Sequence, residues 1–297
     1  DLGRRGYYKK LKALLTTTKH FDLVTFTHID ADHIEGAVPL FAEADIPIET
    51  GHVWFNGRVQ LETADDRLPV PSRPTMGAVQ AEKITEGILR AGWRWNAHFA
   101  SGVVSVDSPE GARPIDFPGG LTLTLLSPDD RKLAELMPTW DKELTEAGLH
   151  TTDPDAVEAA RAAGRVAMGA IDVEKLAMKR TPEDASPANG AGIAFLAEFA
   201  GKRVLMAADA HPDMLIASLK RLGATEATPL RIDCFKLPHH ASKANVTNDL
   251  LKLIDCTTFA VSTNGKRHGH PDEEAIARVL FADRTRRKTL VFNFRQE

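Results

Sequence analysis

Four residues near the start of the chain have the types and spacing of a metal site: His28, Asp30, Asp32 and His33. Alternate residues of an extended segment point to the same side, so His28 and Asp30 can reach one ion while Asp32 and His33 turn toward a second. Two cations held in this way lower the pKa of a bridging water toward neutrality and produce a nucleophilic hydroxide. The motif therefore predicts hydrolytic chemistry.

Further candidate ligands follow later in the chain. Six of the eleven histidines fall into three close groups, namely His28 with His33, His239 with His240, and His268 with His270. Asp209 follows the strand-like run at 202–207. Scattered surface histidines rarely group like this, so the pattern favours a shared role in binding.

Strand-like runs precede each of these groups. The predicted strands are 21–26, 202–207, 232–237 and 258–263, and the predicted helices are 5–17, 35–41, 79–91, 212–222 and 272–281. Residues 53–127 indicate further strands, among them 102–107 and 121–127. Open α/β sheets place their sites at the carboxyl ends of strands. An α/β fold with histidines and aspartates at those ends is therefore expected.

Composition limits the class of protein. The 297 residues are 43% hydrophobic and contain no convincing linker, which predicts a single domain, with a helical insertion around 130–180. Two cysteines, Cys234 and Cys256, do not make a disulfide framework and are interpreted as buried thiols. The net charge of −4 gives no general attraction to nucleic acid, so such a partner would need a local basic patch.

The chain has neither a run of 18 apolar residues nor an apolar stretch at its start, which predicts no membrane segment and no signal peptide. A cytoplasmic location is the resulting default. The chain starts at Asp1 and stops just after a strand-like run at 289–294, so both ends are expected to be truncated. It is therefore expected to belong to a larger chain or complex.

Four ordered stretches resemble a known family: 27–36 (THIDADHIEG), 201–210 (GKRVLMAADA), 236–243 (KLPHHASK) and the closing segment 262–271. The first is similar to the HxHxDH motif of the metallo-β-lactamase superfamily, in the HxDxDH form of the ComEC-like subgroup. The others are similar to that subgroup's strand before a metal-bridging Asp, to its KxxHHGS motif and to its closing loop. The resemblance spans residues 21–294 in the expected order.

The resemblance implies a four-layer αββα sandwich with two divalent metal ions at one edge. Asp209 would bridge the ions, and His240, or alternatively His239, would complete the second. His270 would lie beside the metals as a further ligand or as a group acting on the leaving oxygen. Lys243 would neutralise a substrate phosphate.

Some positions depart from the family's pattern. Asp30 stands where most members have a second histidine. Together with Asp32, which is also a catalytic candidate, it makes the ligand set rich in oxygen. The expected ions are therefore Zn²⁺ or Mn²⁺, with Mg²⁺ also compatible. No histidine occurs near 185–195, where classical members supply a ligand, and Asn189 is the nearest candidate. Ala241 replaces the usual glycine of HHGS.

Three functions remain open from the sequence. The first is a metal-dependent phosphodiesterase or nuclease acting on DNA, because phosphoryl chemistry needs positioning and charge neutralisation more than a covalent nucleophile. The second is a hydrolase of small lactones, thioesters or amides. The third is an effector or interaction domain of a larger assembly.

Structural explanations compete for each candidate residue. Asp30 or Asp32 could cap the helix that follows, and Asp209 could cap the helix at 212. The His239–His240 pair could be a strand end touching solvent, and His270 could end a strand and cap the next helix. His52 and His98 have no partner spacing and are expected to be ordinary surface or half-buried residues.

Overall fold

The computed structural model describes residues 2–15, 17–68, 79–147, 172–265 and 269–295. Strands and helices both contribute extensively, and the predicted α/β class is confirmed. The central part of the predicted helical insertion, 148–171, and His268 lie outside the described residues. In the described part of the chain, no helix has both the length and the apolar character needed to cross a bilayer.

The helices are α1 (Tyr8–Leu15), α2 (Ala31–Ile34), α3 (Ala37–Ala42), α4 (Arg58–Asp65), α5 (Val79–Ala91), α6 (Asp130–Ala147), α7 (Val173–Ala177), α8 (Pro187–Gly190), α9 (Pro212–Arg221), α10 (Asn248–Lys252) and α11 (Glu273–Ala282). The strands are β1 (His20–Thr25), β2 (Glu49–Trp54), β3 (Ile115–Asp116), β4 (Thr122–Ser127), β5 (Ala194–Phe199), β6 (Lys202–Met206), β7 (Leu230–Arg231), β8 (Cys234–Lys236), β9 (Ile254–Asp255), β10 (Thr258–Val261) and β11 (Thr289–Phe292).

Contacts group the chain into two compact units, 1–150 with 186–194, and 151–185 with 195–297. The single-domain organisation stays a prediction. In the first unit, β1 and β2 run parallel, with Val24 paired to Val53. Phe26, just after β1, is fully buried, and its ring lies edge-on to Phe55, with 6.1 Å between centroids. This core fixes the start of the segment that carries His28.

In the second unit, β6, β8, β10 and β11 are parallel neighbours, and β5 pairs antiparallel with β6. Leu205 of β6 is paired with Phe235 of β8, which in turn is paired with Phe259 of β10. All three side chains are buried. Because the three strands run in the same direction, the residues that follow them emerge at the same edge.

One predicted strand is wrong. Residues 102–107 form turns and irregular backbone. The side chain of Asn56 takes the place of a neighbouring strand, because its Nδ2 donates to the carbonyl of Val104 (2.8 Å) and its Oδ1 accepts from the Val104 N–H (3.0 Å). A buried side-chain amide can satisfy backbone groups without a sheet, and periodicity does not reveal this.

The turn between β5 and β6 gives a stability prediction. Phe199 pairs with Lys202, and the two loop residues, Ala200 and Gly201, both have positive φ (49° and 73°). This is the backbone of a type I′ turn, which favours Asn-Gly. Ala200→Asn is expected to raise the free energy of unfolding by about 0.5–1 kcal/mol, measured by urea denaturation. Ala200→Val is the control and should lower it, because a β-branched residue opposes positive φ. Equal stabilities for both variants would contradict the turn assignment.

Candidate metal centre

In the first unit, the HxDxDH motif brings its own ligands together. His28 and His33 are both buried, and their ring centroids lie 4.0 Å apart. His28 Nε2 is 3.7 Å from an Asp30 carboxylate oxygen, and His33 Nε2 is 3.9 Å from one of Asp32. Thr27 Oγ1 lies 3.0 Å from His28 Nδ1 and 3.4 Å from His33 Nδ1, so one hydroxyl orients both rings. Two imidazoles and two carboxylates thus share a small volume.

The motif contains a helix that the sequence analysis did not anticipate. Asp32 and His33 lie in α2, and Asp30 stands at its N-cap position with extended backbone (φ −63°, ψ 139°). The Asp30 side chain makes no capping hydrogen bond to this helix. The capping alternative for Asp30 is therefore wrong, and its partly exposed carboxylate remains beside His28.

In the second unit, the strand ends bring Asp209 next to the histidine pair. Asp209 is 2% exposed, and one of its carboxylate oxygens, Oδ2, lies 3.8 Å from Nε2 of His239 and 3.8 Å from Nε2 of His240. On the far side of its ring, His240 Nδ1 is hydrogen-bonded to the carbonyl oxygen of Ser262. A carbonyl only accepts, so His240 Nδ1 carries a proton, and in the neutral ring Nε2 holds the lone pair on the Asp209 side.

The backbone around this pair is strained. His239, His240 and Ala241 have φ values of 44°, 54° and 65°, and Ala208, just before Asp209, has φ 47°. Left-handed backbone costs an L-residue roughly 1–2 kcal/mol, and such residues cluster at functional sites. A simple solvent-facing strand end needs no such backbone. The strain therefore favours a functional role for the pair over that alternative.

Two further residues surround His239. Its Nδ1 lies 3.2 Å from Asp184 Oδ2 and 2.9 Å from Asn245 Oδ1. Burial by itself would lower the pKa of His239, but the hydrogen bond that His239 donates to Asp184 and the charges of Asp209 and Asp184 outweigh it and raise the pKa to about 9. The surroundings of His239 are thus strongly anionic, as a cation site requires.

His270 and Lys243 lie near the same strand ends. The His270 ring is 5.4 Å from that of His239, and its Nδ1 is 3.4 Å from Asp272 Oδ2. The Asp272 carboxylate also accepts the Lys243 backbone N–H at 2.8 Å. Lys243 Nζ is 3.9 Å from Asp272 and 4.0 Å from Glu274, so two carboxylates partly offset its charge. Asp272, at the N-cap of α11, makes no side-chain capping bond to that helix.

Sequence reasoning missed Asp184 and Asn245, which belong to no recognised motif. Asp184 lies 55 residues before His239, and no spacing rule connects them. The signal for Asn245 was weak, because it lies only five residues after His240 in an unremarkable polar stretch. The candidate ligand Asn189 is buried in α8 of the first unit. Shortly after this helix, the Ile193 N–H donates to the carbonyl of Thr27, the residue before His28, at 2.9 Å.

His52 and His98 are both half-buried, which agrees with the sequence prediction, but they also contact each other, which their spacing in the chain did not indicate. Their ring centroids are 4.0 Å apart, and Trp54 Nε1–H donates to His98 Nδ1 at 3.1 Å. Burial, followed by the charges of His52 and Arg94, lowers the pKa of His98 from 6.5 to about 4. His98 is thus a neutral acceptor within an aromatic cluster at neutral pH.

The lowered pKa predicts acid sensitivity. The unfolded chain binds a proton at His98 below about pH 6.5, whereas the folded chain does so only below about pH 4, so stability falls across this window as the pH drops. His98→Asn keeps an acceptor for Trp54 without titrating. Between pH 7.5 and 4.5, metal-stripped wild type should lose about 1–3 kcal/mol more stability than His98→Asn, measured by urea denaturation. Parallel losses in the two proteins would contradict the assignment.

Comparison with known proteins adds little to this picture. No family model and no curated protein match the chain. A solved structure from Parabacteroides distasonis ATCC 8503, provisionally named a metal-dependent hydrolase, is similar with a TM-score of 0.40 and 11% sequence identity. The similarity covers 93% of this chain and 78% of the other. The case for a function rests on the side chains of the two ligand groups.

Proposed function

We propose that this chain is a metal-dependent hydrolase whose divalent ions are held by His28, Asp30, Asp32, His33, Asp209 and His240, and that its substrate is a phosphodiester, with DNA the leading candidate. The observation that carries the proposal is the arrangement at Asp209. Two imidazole Nε2 atoms lie at the same distance, 3.8 Å, from one buried carboxylate oxygen. Two atoms that each lie about 2.0–2.2 Å from one ion can be at most about 4.0–4.4 Å apart, so these separations allow a shared ion.

The donor set fits such ions chemically. His28 and His33 are buried and lie beside the carboxylates of Asp30 and Asp32. Buried imidazoles and carboxylates suit Zn²⁺ or Mn²⁺, and the high share of oxygen also admits Mg²⁺. When bound, the ions would act as Lewis acids and activate a water as the nucleophile.

The chain's own residues would orient the substrate. His270, whose ring lies 5.4 Å from that of His239 and whose Nδ1 is 3.4 Å from Asp272 Oδ2, would hold or donate a proton at the leaving oxygen. Lys243 is 39% exposed in its side chain and could meet a substrate phosphate. The neighbouring carboxylates weaken the positive charge of Lys243, so we assign it a supporting role.

The test compares metal-stripped and reloaded protein on three substrates. Protein treated with EDTA is supplied with Mn²⁺, Zn²⁺ or Mg²⁺ and then given bis(p-nitrophenyl) phosphate, single- or double-stranded DNA, or p-nitrophenyl acetate. Metal-dependent cleavage of the phosphodiester and the DNA, with little ester hydrolysis, is expected. Ester hydrolysis alone would favour the small-molecule alternative, and inactivity with every ion would overturn the hydrolase proposal.

A further inference from the structure

Asp184 lies in an irregular segment yet is fixed at both its backbone and its side chain. The segment from 179 to 186 has no helix or strand, and the Asp184 N–H donates to the Ala244 carbonyl at 3.2 Å. The Asp184 side chain is only 9% exposed. A carboxylate so far removed from water needs compensating partners, because burying a charge is costly.

Three partners of the Asp184 side chain, His239, His211 and Asn245, belong to the second unit. Asp184 Oδ2 accepts from Asn245 Nδ2 at 2.9 Å and lies 3.2 Å from His239 Nδ1. Asp184 Oδ1 lies 3.9 Å from Nε2 of His211, a residue that is itself buried. A single carboxylate therefore connects two histidines and an amide just behind Asp209.

The contacts fix which nitrogen of His239 carries the proton. Asn245 Nδ2 donates to Asp184 and to the Asp209 carbonyl (3.2 Å), so Asn245 Oδ1 must be the atom that faces His239. His239 Nδ1 then faces two oxygen acceptors, Asp184 Oδ2 and Asn245 Oδ1, and must be protonated. Nε2, on the Asp209 side, is left with the lone pair whenever the ring is neutral.

We propose that Asp184 is a positioning residue that orients His239 so that its Nε2 serves as a metal ligand together with Asp209. This inference rests on the proposed metal-dependent function and assigns His239 a ligand role beside that of His240. The two histidines differ in the acceptor of their Nδ1–H group. His240 donates to the carbonyl of Ser262, whereas His239 donates to the carboxylate of Asp184. A carboxylate that holds a ligand histidine fixes the ring and makes its nitrogen a stronger donor, and its loss typically weakens metal affinity about 10–100-fold.

The experiment measures metal affinity directly, without reference to turnover. Zn²⁺ and Mn²⁺ dissociation constants are obtained for the full chain by competition with a chromophoric chelator, for wild type, Asp184→Ala, Asp184→Asn and His239→Ala. The double variant Asp184→Ala/His239→Ala completes a double-mutant cycle, which measures the coupling between the two residues. Asp233→Ala is the matched control, because Asp233 also holds a lysine (Lys202, 2.9 Å) and a backbone N–H (Arg203, 3.0 Å), but at the opposite end of β8.

Asp184→Ala is expected to weaken binding about 10–100-fold and Asp184→Asn, which keeps an acceptor oxygen, by less. In the His239→Ala background, removing Asp184 should change affinity by less than about twofold, because its effect passes through His239. Asp233→Ala should bind like wild type. Normal affinity in Asp184→Ala, or an equal loss in both backgrounds, would overturn the inference while leaving the hydrolase proposal standing. If wild type itself binds no divalent ion, both proposals fail.

Should Asp184→Ala not fold, as judged by near-ultraviolet circular dichroism, Asp184→Asn decides the question. Asparagine is nearly the same shape and still accepts a hydrogen bond, but it lacks the charge. A purely structural carboxylate would tolerate this change with normal metal affinity. An affinity loss confined to backgrounds that retain His239 supports the positioning role.

Discussion

Asp209→Ala is expected to reduce metal-dependent hydrolysis by at least roughly 1000-fold in kcat, a loss of about 4 kcal/mol of transition-state stabilisation. Asp209 is the buried carboxylate toward which both His239 and His240 point. Without it, a bound ion would lose a charged ligand and would activate water less well. Rates are measured on bis(p-nitrophenyl) phosphate at saturating Mn²⁺, and the bound metal is quantified on the same samples.

The control for this variant is Asp249→Ala. Asp249 is an exposed carboxylate of the same unit that pairs only weakly with Lys252, since exposed pairs contribute little. Its removal should leave both the hydrolysis rate and the metal content unchanged. The rate of Asp209→Asn should lie between those of Asp209→Ala and Asp249→Ala, because the amide keeps one oxygen ligand without the charge. Full activity in Asp209→Ala would remove this residue from the metal centre.

Arg278→Ala is expected to cost about 3–5 kcal/mol of unfolding free energy. The guanidinium is 4% exposed and reaches five acceptors: the carbonyls of Ala177, Lys179, Lys243 and Val246, and Thr181 Oγ1. Truncation removes a donor from the carbonyls of Lys179 and Val246, whereas those of Ala177 and Lys243 still accept from Asn248 Nδ2 and Thr181 Oγ1. Each buried group left unsatisfied costs roughly 1–3 kcal/mol before water enters. The measurement is urea denaturation of the metal-stripped protein.

Two comparisons sharpen the Arg278 prediction. Arg278→Lys keeps the positive charge but loses the planar guanidinium with its several N–H donors. It should therefore lower the free energy of unfolding, but by less than Arg278→Ala does. Arg284→Ala removes a guanidinium that is 68% exposed and should change stability by less than about 0.5 kcal/mol. A loss of under 1 kcal/mol in Arg278→Ala would contradict the prediction and would show that water readily replaces the hydrogen bonds of the guanidinium. Since Arg278 ties 177–181 to 243–246, its variants should also loosen the segment that carries Asp184.

The second unit was the more predictable part of the fold. β6, β8 and β10 were recognisable as short apolar runs ending in polar residues, and their parallel pairing brings Asp209 close to His239 and His240. Strand periodicity and the rule for parallel sheets suffice for such a result. The choice of His240 over His239 came only from the family resemblance. The geometry supports both rings, because each has its Nδ1 tied to oxygen.

The features that escaped sequence reasoning are made by side chains that meet from distant segments. Asn56 replaces a strand at Val104, and Asp184 holds His239. His52 and His98 come together across 46 positions to share an aromatic cluster with Trp54. Contacts of this kind depend on tertiary packing and have no period along the chain, so the periodicity of the sequence does not predict them.

The central claim is that the histidines and aspartates of this chain bind divalent ions, and crystals grown with Mn²⁺ test it most directly. Anomalous scattering at the manganese edge is predicted to give peaks within about 2.0–2.3 Å of imidazole nitrogens and carboxylate oxygens of His28, His33, Asp209 and His240. A map with no peak at any of these side chains, from protein whose fold is intact, would contradict the account.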